Sequence, residues 1–283
     1  MGKSIIEALT VPRGPVDLAS YDTRATPLFK GGKKEGKSAL PAMGDEVSDL
    51  QERLFAEGRS GGTRSVLFVL QGMDTSGKGG LSRHAFALVD PQGVHITSFK
   101  APTKAELRHD FLWRIEKQAP RAGFIGVFDR SHYEDVLIAK VRGLAEPKEI
   151  ERRYGAINEF EQKLVESGTV VVKCMLHISA EEQKERLLAR LDDPSKLWKF
   201  NPGDIDERRR WPEYQRAYEM ALERTNTEQA PWLVIPSDRK WYRNLAVASV
   251  LRETLQRMDL GWPPADFDVD EQRTRLLKED PIA

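Results

Sequence analysis

The sequence lacks several features that define whole classes of protein. It has a single cysteine, Cys174, so no disulfide can form within the chain, and this usage is typical of a reducing compartment. No uninterrupted apolar run approaches the roughly 18 residues that a membrane-spanning helix needs. The first ten residues lack the apolar core of a secretory signal peptide. We therefore expect a cytoplasmic protein with no membrane partner.

A net charge is also missing, because 44 Lys and Arg residues balance 44 Asp and Glu residues. A neutral chain has no overall field that would attract a polyanion, so any anion site must be local. This balance disfavours an extended nucleic-acid-binding surface, and we expect no nucleic-acid partner. With 40% hydrophobic residues, the chain can still bury a substantial core.

What the sequence does contain is a regular alternation of strand and helix patterns. Five apolar segments are predicted as strands: SVLFVL, VHITSF, FIGVFD, TVVVKCMLHIS and PWLVIP. Helical patterns separate or flank them at 45–58, 80–90, 103–118, 147–168, 180–191 and 241–258. The alternation predicts an α/β three-layer sandwich, in which helices cover both faces of a mostly parallel five-stranded sheet.

The pattern divides the chain into three parts. Residues 1–44 are predicted as an amino-terminal extended arm, in which the lysine-rich segment KGGKKEGKSAL is a solvated loop. Residues 45–262 form the predicted catalytic domain, and residues 263–283 form a tail. We see no internal repeat.

A polar segment inside the domain, at about 192–226, is predicted as a helical lid. Proline interrupts it, and its basic and aromatic residues suit closure over phosphates and stacking of a base. Trp198 is the candidate for that stacking. Acidic residues are interspersed, so a plain solvated helix and loop is the alternative.

The segment GMDTSGKGG at 72–80 lies between a predicted strand and a predicted helix, and its glycines and lysine match the pattern G-x-x-x-x-G-K. Backbone N–H groups in such a loop converge on phosphate oxygens, with a helix amino terminus adding its positive end. The candidate phosphate-binding residues here are Thr75, Ser76, Gly77, Lys78 and Gly79. The alternative is a glycine-rich turn that binds no ligand.

One feature of this loop departs from the usual pattern. Gly79 stands where a Ser or Thr hydroxyl normally binds magnesium, so the metal needs another ligand. Asp74 lies within the loop, where a carboxylate close to bound phosphates would be repelled unless a cation lay between them. Asp74 is therefore the candidate magnesium ligand. The alternative is that its carboxylate caps N–H groups of the loop.

A second cluster of polar residues follows the strand FIGVFD. Asp129 falls at the carboxyl end of this strand, the edge where ligands bind in open α/β sheets, and an Asp there is a usual second magnesium ligand. Arg130 comes next and could neutralise charge on the transferring group. Alternatively Asp129 caps the following helix, a role for which Ser131 competes. We expect the HYED segment at 132–135 to be a solvated helix start rather than a metal cluster.

Four blocks, GMDTSGKGG, SFKAPT, FDRSHYED and RLDDPSKLWKF, together resemble the second family of polyphosphate kinases, which move a terminal phosphoryl group between inorganic polyphosphate and a nucleotide. The resemblance runs from about residue 45 to 260. It implies a P-loop kinase-like fold in which Asp74 and Asp129 bind Mg²⁺ while Lys78 and Arg130 contact phosphates. The other residues implied are Arg83, Arg190 and Lys199 for phosphate, and Lys100 and Thr103 for the nucleotide.

The resemblance implies Mg²⁺-dependent in-line transfer in a homo-oligomer, a dimer or a tetramer. The blocks SHYED and KLWKF look like the subgroup that accepts both nucleoside mono- and diphosphates. Asp129 stands where that subgroup often has Asn, so AMP, ADP and GDP all stay open as acceptors. An ATP-dependent nucleotide or small-molecule kinase would share this loop, second Asp and lid. A non-catalytic nucleotide- or polyanion-binding module would not need both carboxylates.

Overall fold

The computed structural model describes residues 3–279. The strands are β1 (Ser65–Gln71), β2 (Val94–Ser98), β3 (Ile125–Asp129), β4 (Thr169–His177) and β5 (Trp232–Pro236). They form one sheet in the order β2-β3-β1-β4-β5, and each neighbouring pair is parallel. The five predicted strands and the parallel sheet are confirmed.

The α-helices of the described chain are α1 (Ile5–Leu9), α2 (Lys33–Ala39), α3 (Gly44–Arg59), α4 (Lys78–Leu81), α5 (Trp113–Glu116), α6 (Ile138–Val141), α7 (Pro147–Glu166), α8 (Ala180–Leu191), α9 (Gly203–Arg209), α10 (Trp211–Thr225), α11 (Lys240–Arg257) and α12 (Val269–Lys278). Four of them, α3, α7, α8 and α11, confirm predicted helices with bounds that agree within two residues. Over residues 3–279, no helix has both the length and the apolar character needed to cross a membrane.

Two hydrophobic cores lie on opposite faces of the sheet. Successive residues of a strand point to opposite faces, so Phe68 of β1 joins one core and Val69 joins the other. Helices α3 and α11 pack on the first face, and α7 and α10 pack on the second. Because both faces are covered, the strands are continuous apolar runs, and the predicted three-layer sandwich is confirmed.

The amino-terminal residues differ from the extended arm that we predicted. Leu9, Val11 and Leu18 are buried in the two cores, and the Val11 N–H donates to the carbonyl of Trp232 at 2.8 Å. This part of the chain therefore packs along β5 at the edge of its own sheet. The apolar side chains were too widely spaced in sequence to show a periodic pattern.

The lysine-rich segment KGGKKEGKSAL is not a loop, because most of it forms α2. A Cβ atom at Gly36 would lie 2.3 Å from the Trp241 ring, so the backbone of α2 rests directly on that ring. Only glycine permits such a close approach. The prediction of a solvated loop was wrong because the contact depends on a residue about 200 positions away, which the local pattern cannot show.

Two predicted helices, 80–90 and 103–118, are broken into shorter pieces. In the first, α4 ends at Leu81 and a 3-10 turn follows at Phe86–Leu88. In the second, a 3-10 turn at Glu106–Arg108 is separated from α5 by Asp110, whose carboxylate accepts the Leu112 N–H at 3.1 Å. A side chain that accepts a nearby N–H in this way competes with the hydrogen bonds of a helix. The second predicted helix is therefore interrupted at Asp110.

The predicted lid at 192–226 divides into two unlike parts. Helix α10 buries Tyr214, Ala217, Tyr218 and Leu222 in the second core, so it belongs to the body of the domain. The 3-10 helix Pro194–Lys199 and α9 have no buried residue. We call residues 192–210 the lid segment. The aromatic residues of α10 recur at helical spacing, which is the signature of burial rather than of a lid.

Candidate active site

The GMDTSGKGG segment, hereafter the phosphate loop, connects β1 to α4 at the carboxyl edge of the sheet. Thr75 and Gly77 take left-handed backbone angles, with φ of 65° and 105°. The Ser76 N–H turns inward and donates to the Met73 carbonyl at 3.0 Å. In the described chain, the N–H groups of Thr75, Gly77, Lys78 and Gly79 have no acceptor. Four of the five predicted loop donors are thus available to an anion.

Lys78 is held within this loop. Its ammonium donates to the carbonyls of Gly72 at 2.6 Å and Met73 at 3.4 Å, and the residue is only 8% exposed. Burial lowers the pKa of Lys78, and the carboxylates of Asp74 and Asp129 act against that shift. No carboxylate of residues 3–279 lies within ion-pair distance of it. The charge of Lys78 is therefore not neutralised by a direct partner.

Asp74 and Arg130 face each other across the loop. Arg130 follows β3 with a left-handed φ of 65°, and its guanidinium donates to the Asp74 carboxylate at 3.1 Å. The side chains remain 32% and 40% exposed for Asp74 and Arg130. Burial acts to lower the pKa of Arg130, but Glu134 and Asp74 outweigh it and raise the pKa. A loop-capping bond from the Asp74 carboxylate, the alternative considered above, is absent from the described residues.

Asp129 lies at the last position of β3, in register with Leu70 of β1. Within residues 3–279 its carboxylate takes part in no hydrogen bond, whereas Ser131 caps the following 3-10 helix by accepting the Tyr133 N–H at 3.2 Å. The helix-capping alternative is therefore not observed for Asp129. A Cβ atom at Gly79 would lie 3.7 Å from Asp129 Oδ2. The Asp129 carboxylate thus lies next to the place where a Ser or Thr side chain at position 79 would begin.

These two carboxylates suit magnesium better than a transition metal. The described chain holds no cluster of three or more His, Cys, Asp or Glu residues that could bind a metal ion. Magnesium prefers oxygen ligands and is commonly bound by one or two carboxylates together with water and substrate phosphates. Asp74 and Asp129 fit that requirement.

The segment at 132–135 is not the solvated helix start that we predicted. His132 and Tyr133 are fully buried, and both reach Glu161 of α7, at 3.2 Å and 2.8 Å. Glu134 instead faces the phosphate loop, and burial raises the pKa of its carboxyl group. The polar residues of this segment looked solvated in the sequence. They form a buried hydrogen-bond network because their partner, Glu161, lies on α7.

A cavity of about 180 Å³ separates the phosphate loop from the lid segment. Asp74 and Arg130 line it on the loop side, and Asp204 and Glu207 of α9 line it on the lid side. Burial raises the pKa of Asp204, and the nearby Asp74 carboxylate adds to that shift. The lid segment therefore already lies over the loop.

The predicted lid contacts, Arg190, Trp198 and Lys199, are not among the residues that line this cavity. Arg190 holds the lid segment together, because its guanidinium donates to the Lys199 carbonyl at 2.9 Å and approaches Asp204 at 3.5 Å. The Lys199 ammonium lies 5.0 Å from the centre of the Trp198 ring, and Trp198 is 74% exposed. Their roles toward phosphate and base stay predictions.

The remaining predicted residues, Arg83, Lys100 and Thr103, are all exposed and do not line the cavity. Thr103 caps a turn, since its hydroxyl accepts the Glu106 N–H at 3.3 Å while its own N–H donates to the Glu106 carboxylate at 2.7 Å. The nucleotide contacts predicted for Lys100 and Thr103, and the phosphate contact predicted for Arg83, stay predictions.

Sequence reasoning missed two buried arginines behind the loop, Arg186 of α8 and Arg243 of α11. Both donate to loop carbonyls, Arg186 to Thr75 at 2.8 Å and Arg243 to Ser76 at 2.9 Å. A signal was available in α8, because Arg186 falls on the same face as the buried Gln183 and Leu187. A charged residue on the buried stripe of an amphipathic helix needs a partner, which here is the loop backbone.

Comparisons with known proteins agree with this geometry. The family model described as Polyphosphate kinase 2 matches residues 30–261. The AMP/ADP-polyphosphate phosphotransferase of Meiothermus ruber is 46% identical over 89% of this chain and 93% of its own, and the ADP-polyphosphate phosphotransferase of Rhodopseudomonas palustris is 38% identical over 93% and 95%. The crystal structure of polyphosphate kinase 2 from Arthrobacter aurescens TC1 is 53% identical and covers 98% of both chains with a TM-score of 0.95. This chain belongs to the polyphosphate kinase 2 family.

Proposed function

We propose that this chain transfers the terminal phosphoryl group of inorganic polyphosphate to both AMP and ADP, and that it requires Mg²⁺ to do so. As a member of its family the chain is a phosphotransferase acting on polyphosphate and a nucleotide. The two acceptors are taken from the Meiothermus ruber relative, whose name specifies AMP and ADP. Asp129 stands in this chain where a dual-acceptor subgroup often has Asn, which makes the acceptor the first point to test.

One observation carries the proposal. The unbonded N–H groups of the phosphate loop, the unneutralised Lys78 and the unbonded carboxylate of Asp129 lie together at the carboxyl edge of β1 and β3. Free donors and a free carboxylate in one place suit a phosphate chain with a cation between them. A binding module would need the donors but not the carboxylates.

Transfer between two polyanions requires charge neutralisation and alignment more than covalent help from the protein. Lys78 and the loop N–H groups would hold the donor chain. Arg130 is 40% exposed and bound to Asp74 by a single hydrogen bond, so it can exchange that carboxylate for the phosphoryl group in transfer. An arginine in that position is worth about 10³–10⁵ in rate in comparable enzymes.

Asp74 and Asp129 would hold the magnesium ion against the phosphates. When bound, Mg²⁺ supplies the positive charge that offsets the negative charge spread over the phosphoryl oxygens. The protein's part is to keep both carboxylates correctly placed. The left-handed backbone at Arg130 and the register of β3 with β1 place the second carboxylate beside Gly79.

We further propose that the lid segment, which already lies over the phosphate loop, opens to admit the phosphate chain and the nucleotide and closes again over them. It carries basic groups and the exposed Trp198 ring, and no residue of α9 is buried in the core. Segments with few buried contacts are those that move in catalysis. The dimer or tetramer implied by the resemblance stays a prediction, which light scattering on the purified chain will check.

The proposed function is tested by offering AMP, ADP and GDP separately, with Mg²⁺ and long-chain polyphosphate, and following nucleotide products by chromatography. We expect ADP and then ATP from AMP, ATP from ADP, and no turnover when Mg²⁺ is chelated. Transfer to diphosphates alone would overturn the dual-acceptor assignment and point to Asp129. Consumption of ATP with no use of polyphosphate would overturn the proposal as a whole.

A further inference from the structure

The carbonyl side of the phosphate loop is occupied by the two buried arginines introduced above. Arg186 is 6% exposed and Arg243 is 4% exposed. Arg186 Nη1 donates to the carbonyls of Thr75 at 2.8 Å and Ser76 at 3.2 Å, and its Nη2 donates to those of Ser237 at 2.6 Å and Asp238 at 3.0 Å. One guanidinium thus ties the loop to the chain that follows β5.

Arg243 makes fewer bonds, and none of them neutralises its charge. Its Nη1 donates to the Ser76 carbonyl at 2.9 Å, and its Nε and Nη2 donate to the Asn244 side-chain oxygen at 3.2 Å and 2.7 Å. The ion pairs found in residues 3–279 include none to Arg243. Burial and the neighbouring Arg186 lower the pKa of Arg243 to about 9. A buried cation without a carboxylate is unfavourable unless an anion compensates it.

The contact between Arg243 and the loop requires glycine at one position. Gly77 has a φ of 105°, and a Cβ atom there would lie 1.6 Å from Arg243 Nη1. The guanidinium therefore fills the space in which any other residue at position 77 would carry its side chain. The second glycine of the phosphate-loop pattern is explained here by the arginine behind it as well as by its backbone angle.

The same contact fixes the direction of one peptide group. The C=O and N–H of a trans peptide point in opposite directions. Both arginines hold the Ser76 carbonyl, so the N–H of Gly77, in the same peptide, points away from them. That N–H has no acceptor within residues 3–279. The Gly77 N–H therefore points toward the open side of the loop.

We propose that Arg243, supported by Arg186, is a positioning residue for the phosphate donor. The two guanidinium groups fix the Ser76–Gly77 peptide so that its N–H meets an oligophosphate chain, and they place positive charge directly behind it. The inference deepens the proposed function and rests on it for the identity of the donor. Binding of an oligophosphate to the loop is nevertheless measurable without turnover.

The first test compares Arg243→Met with a matched control, Arg64→Met. Arg64 is also paired within the fold, to Glu57 and the Met258 carbonyl, but lies at the opposite end of β1. Calorimetric titration with tripolyphosphate and Mg²⁺ should show a dissociation constant raised about 10- to 100-fold in Arg243→Met, as expected for losing a hydrogen bond to a charged group. The KM for ADP should stay within about twofold, since the inference assigns these two arginines to the donor rather than to the acceptor. Arg64→Met should leave the tripolyphosphate constant unchanged.

The second test is a double-mutant cycle between positions 77 and 243. Gly77→Ala should weaken tripolyphosphate binding by about 30-fold or more in the wild-type background, because the new methyl group displaces the guanidinium. In an Arg243→Ala background the space is open, and the same change should cost about fivefold or less. The strain of a positive φ is present in both backgrounds and cancels in the cycle.

The outcomes separate the inference from the proposed function. Arg243→Met with a lowered melting temperature and unchanged tripolyphosphate affinity would overturn the inference, as would additive effects in the cycle. An equal weakening of tripolyphosphate binding and of the KM for ADP in Arg243→Met would also overturn the inference. If Arg243→Met folds poorly, Arg243→Lys keeps the charge but not the planar fork, and weakened tripolyphosphate binding at unchanged melting temperature supports the inference. Normal tripolyphosphate binding by a wild type that transfers no phosphoryl group would refute the proposed function alone.

Discussion

Lys173 and Lys78 are both buried, but their surroundings differ. Lys173 of β4 is fully buried, and its ammonium donates to the Glu161 carboxylate at 2.7 Å, the Thr225 carbonyl at 2.6 Å and the Tyr133 hydroxyl at 3.1 Å. Lys78 donates only to neutral carbonyls of the phosphate loop. The charge of Lys173 is balanced by a carboxylate inside the core, whereas the charge of Lys78 has no carboxylate partner and is available to a bound anion.

The difference shows what each region is built for. In the core, Glu161 also accepts hydrogen bonds from His132 and Tyr133, so the acid is fully engaged. Removing one member of such a network leaves a buried charge without a partner, which is strongly unfavourable. At the loop, a lysine without a carboxylate gains its partner only when a phosphate chain arrives. The first arrangement serves stability and the second serves binding.

The largest expected effect comes from removing either of the two carboxylates at the loop, Asp74 or Asp129. Asp74→Asn and Asp129→Asn should each lower the rate of ATP formation from ADP and polyphosphate by about 10³ or more, because each removes a proposed ligand of the Mg²⁺ ion that balances the charge of the phosphates. The melting temperature should hardly change. Asp206→Asn, in the exposed part of α9, is the matched control and should stay near wild-type turnover. Near-normal turnover of either loop variant would remove that residue from the metal site.

The next effect concerns the core. Lys173→Met should lower the free energy of unfolding by about 3–5 kcal/mol in urea titrations, since it leaves the Glu161 carboxylate buried without its lysine partner. Lys78→Met should change the free energy of unfolding by about 1 kcal/mol or less, because the lysine loses only bonds to neutral carbonyls. The double variant Lys173→Met with Glu161→Leu should recover much of the loss. An equal loss of unfolding free energy in Lys173→Met and Lys78→Met would contradict the difference drawn here between the two lysines.

The same network predicts a pH dependence. Burial acts to raise the pKa of Glu161, but Lys173 and His132 outweigh it and hold the pKa below the ordinary value of 4.5. A carboxyl group whose pKa is lowered on folding contributes stability above its unfolded pKa, and that stability is lost as pH falls through the folded pKa. Acid unfolding should therefore steepen below about pH 4.5 and be shallower in Glu161→Gln. Urea titrations of the wild type and of Glu161→Gln from pH 3 to pH 7 measure this dependence. The prediction fails if the free energy of unfolding falls with pH at the same rate in both proteins.

The smallest effect is expected at the exposed end of the lid segment. Trp198→Ala should raise the KM for ADP about fivefold to tenfold, because stacking on a base is worth about 1–3 kcal/mol when nothing else replaces it. Trp262→Ala provides the control, since that ring is also exposed but lies beyond α11. An unchanged KM for ADP in Trp198→Ala would mean that the ring does not contact the acceptor.

The strands and the centre of the site could be predicted because their signals are local. A strand covered on both faces is a continuous apolar run, and a loop between such a strand and a helix positions Lys78 by its spacing alone. Asp129 could be predicted because the end of an apolar run marks the ligand-binding edge of the sheet. For both Lys78 and Asp129, the residues next to them in sequence are enough to predict where they lie in the fold.

The rest could not be predicted because it depends on distant partners. Arg186 and Arg243 meet the Ser76 carbonyl across 110 and 167 residues of sequence. Helix α2 forms against Trp241, and the buried bonds of His132 need Glu161 from another helix. A polar or glycine-rich segment looks solvated until its partner is known.

The most direct test of the account is the rate of ATP formation from ADP and polyphosphate in Lys78→Met and Lys173→Met, each corrected for the folded fraction at 25 °C. The account predicts that Lys78→Met is well folded but slower by about 10³ or more, whereas Lys173→Met is less stable but within about threefold of wild type per folded molecule. Comparable rates for Lys78→Met and the wild type would contradict the role of the unneutralised lysine in holding phosphate. An equal loss of rate in both variants would contradict the distinction between the two regions.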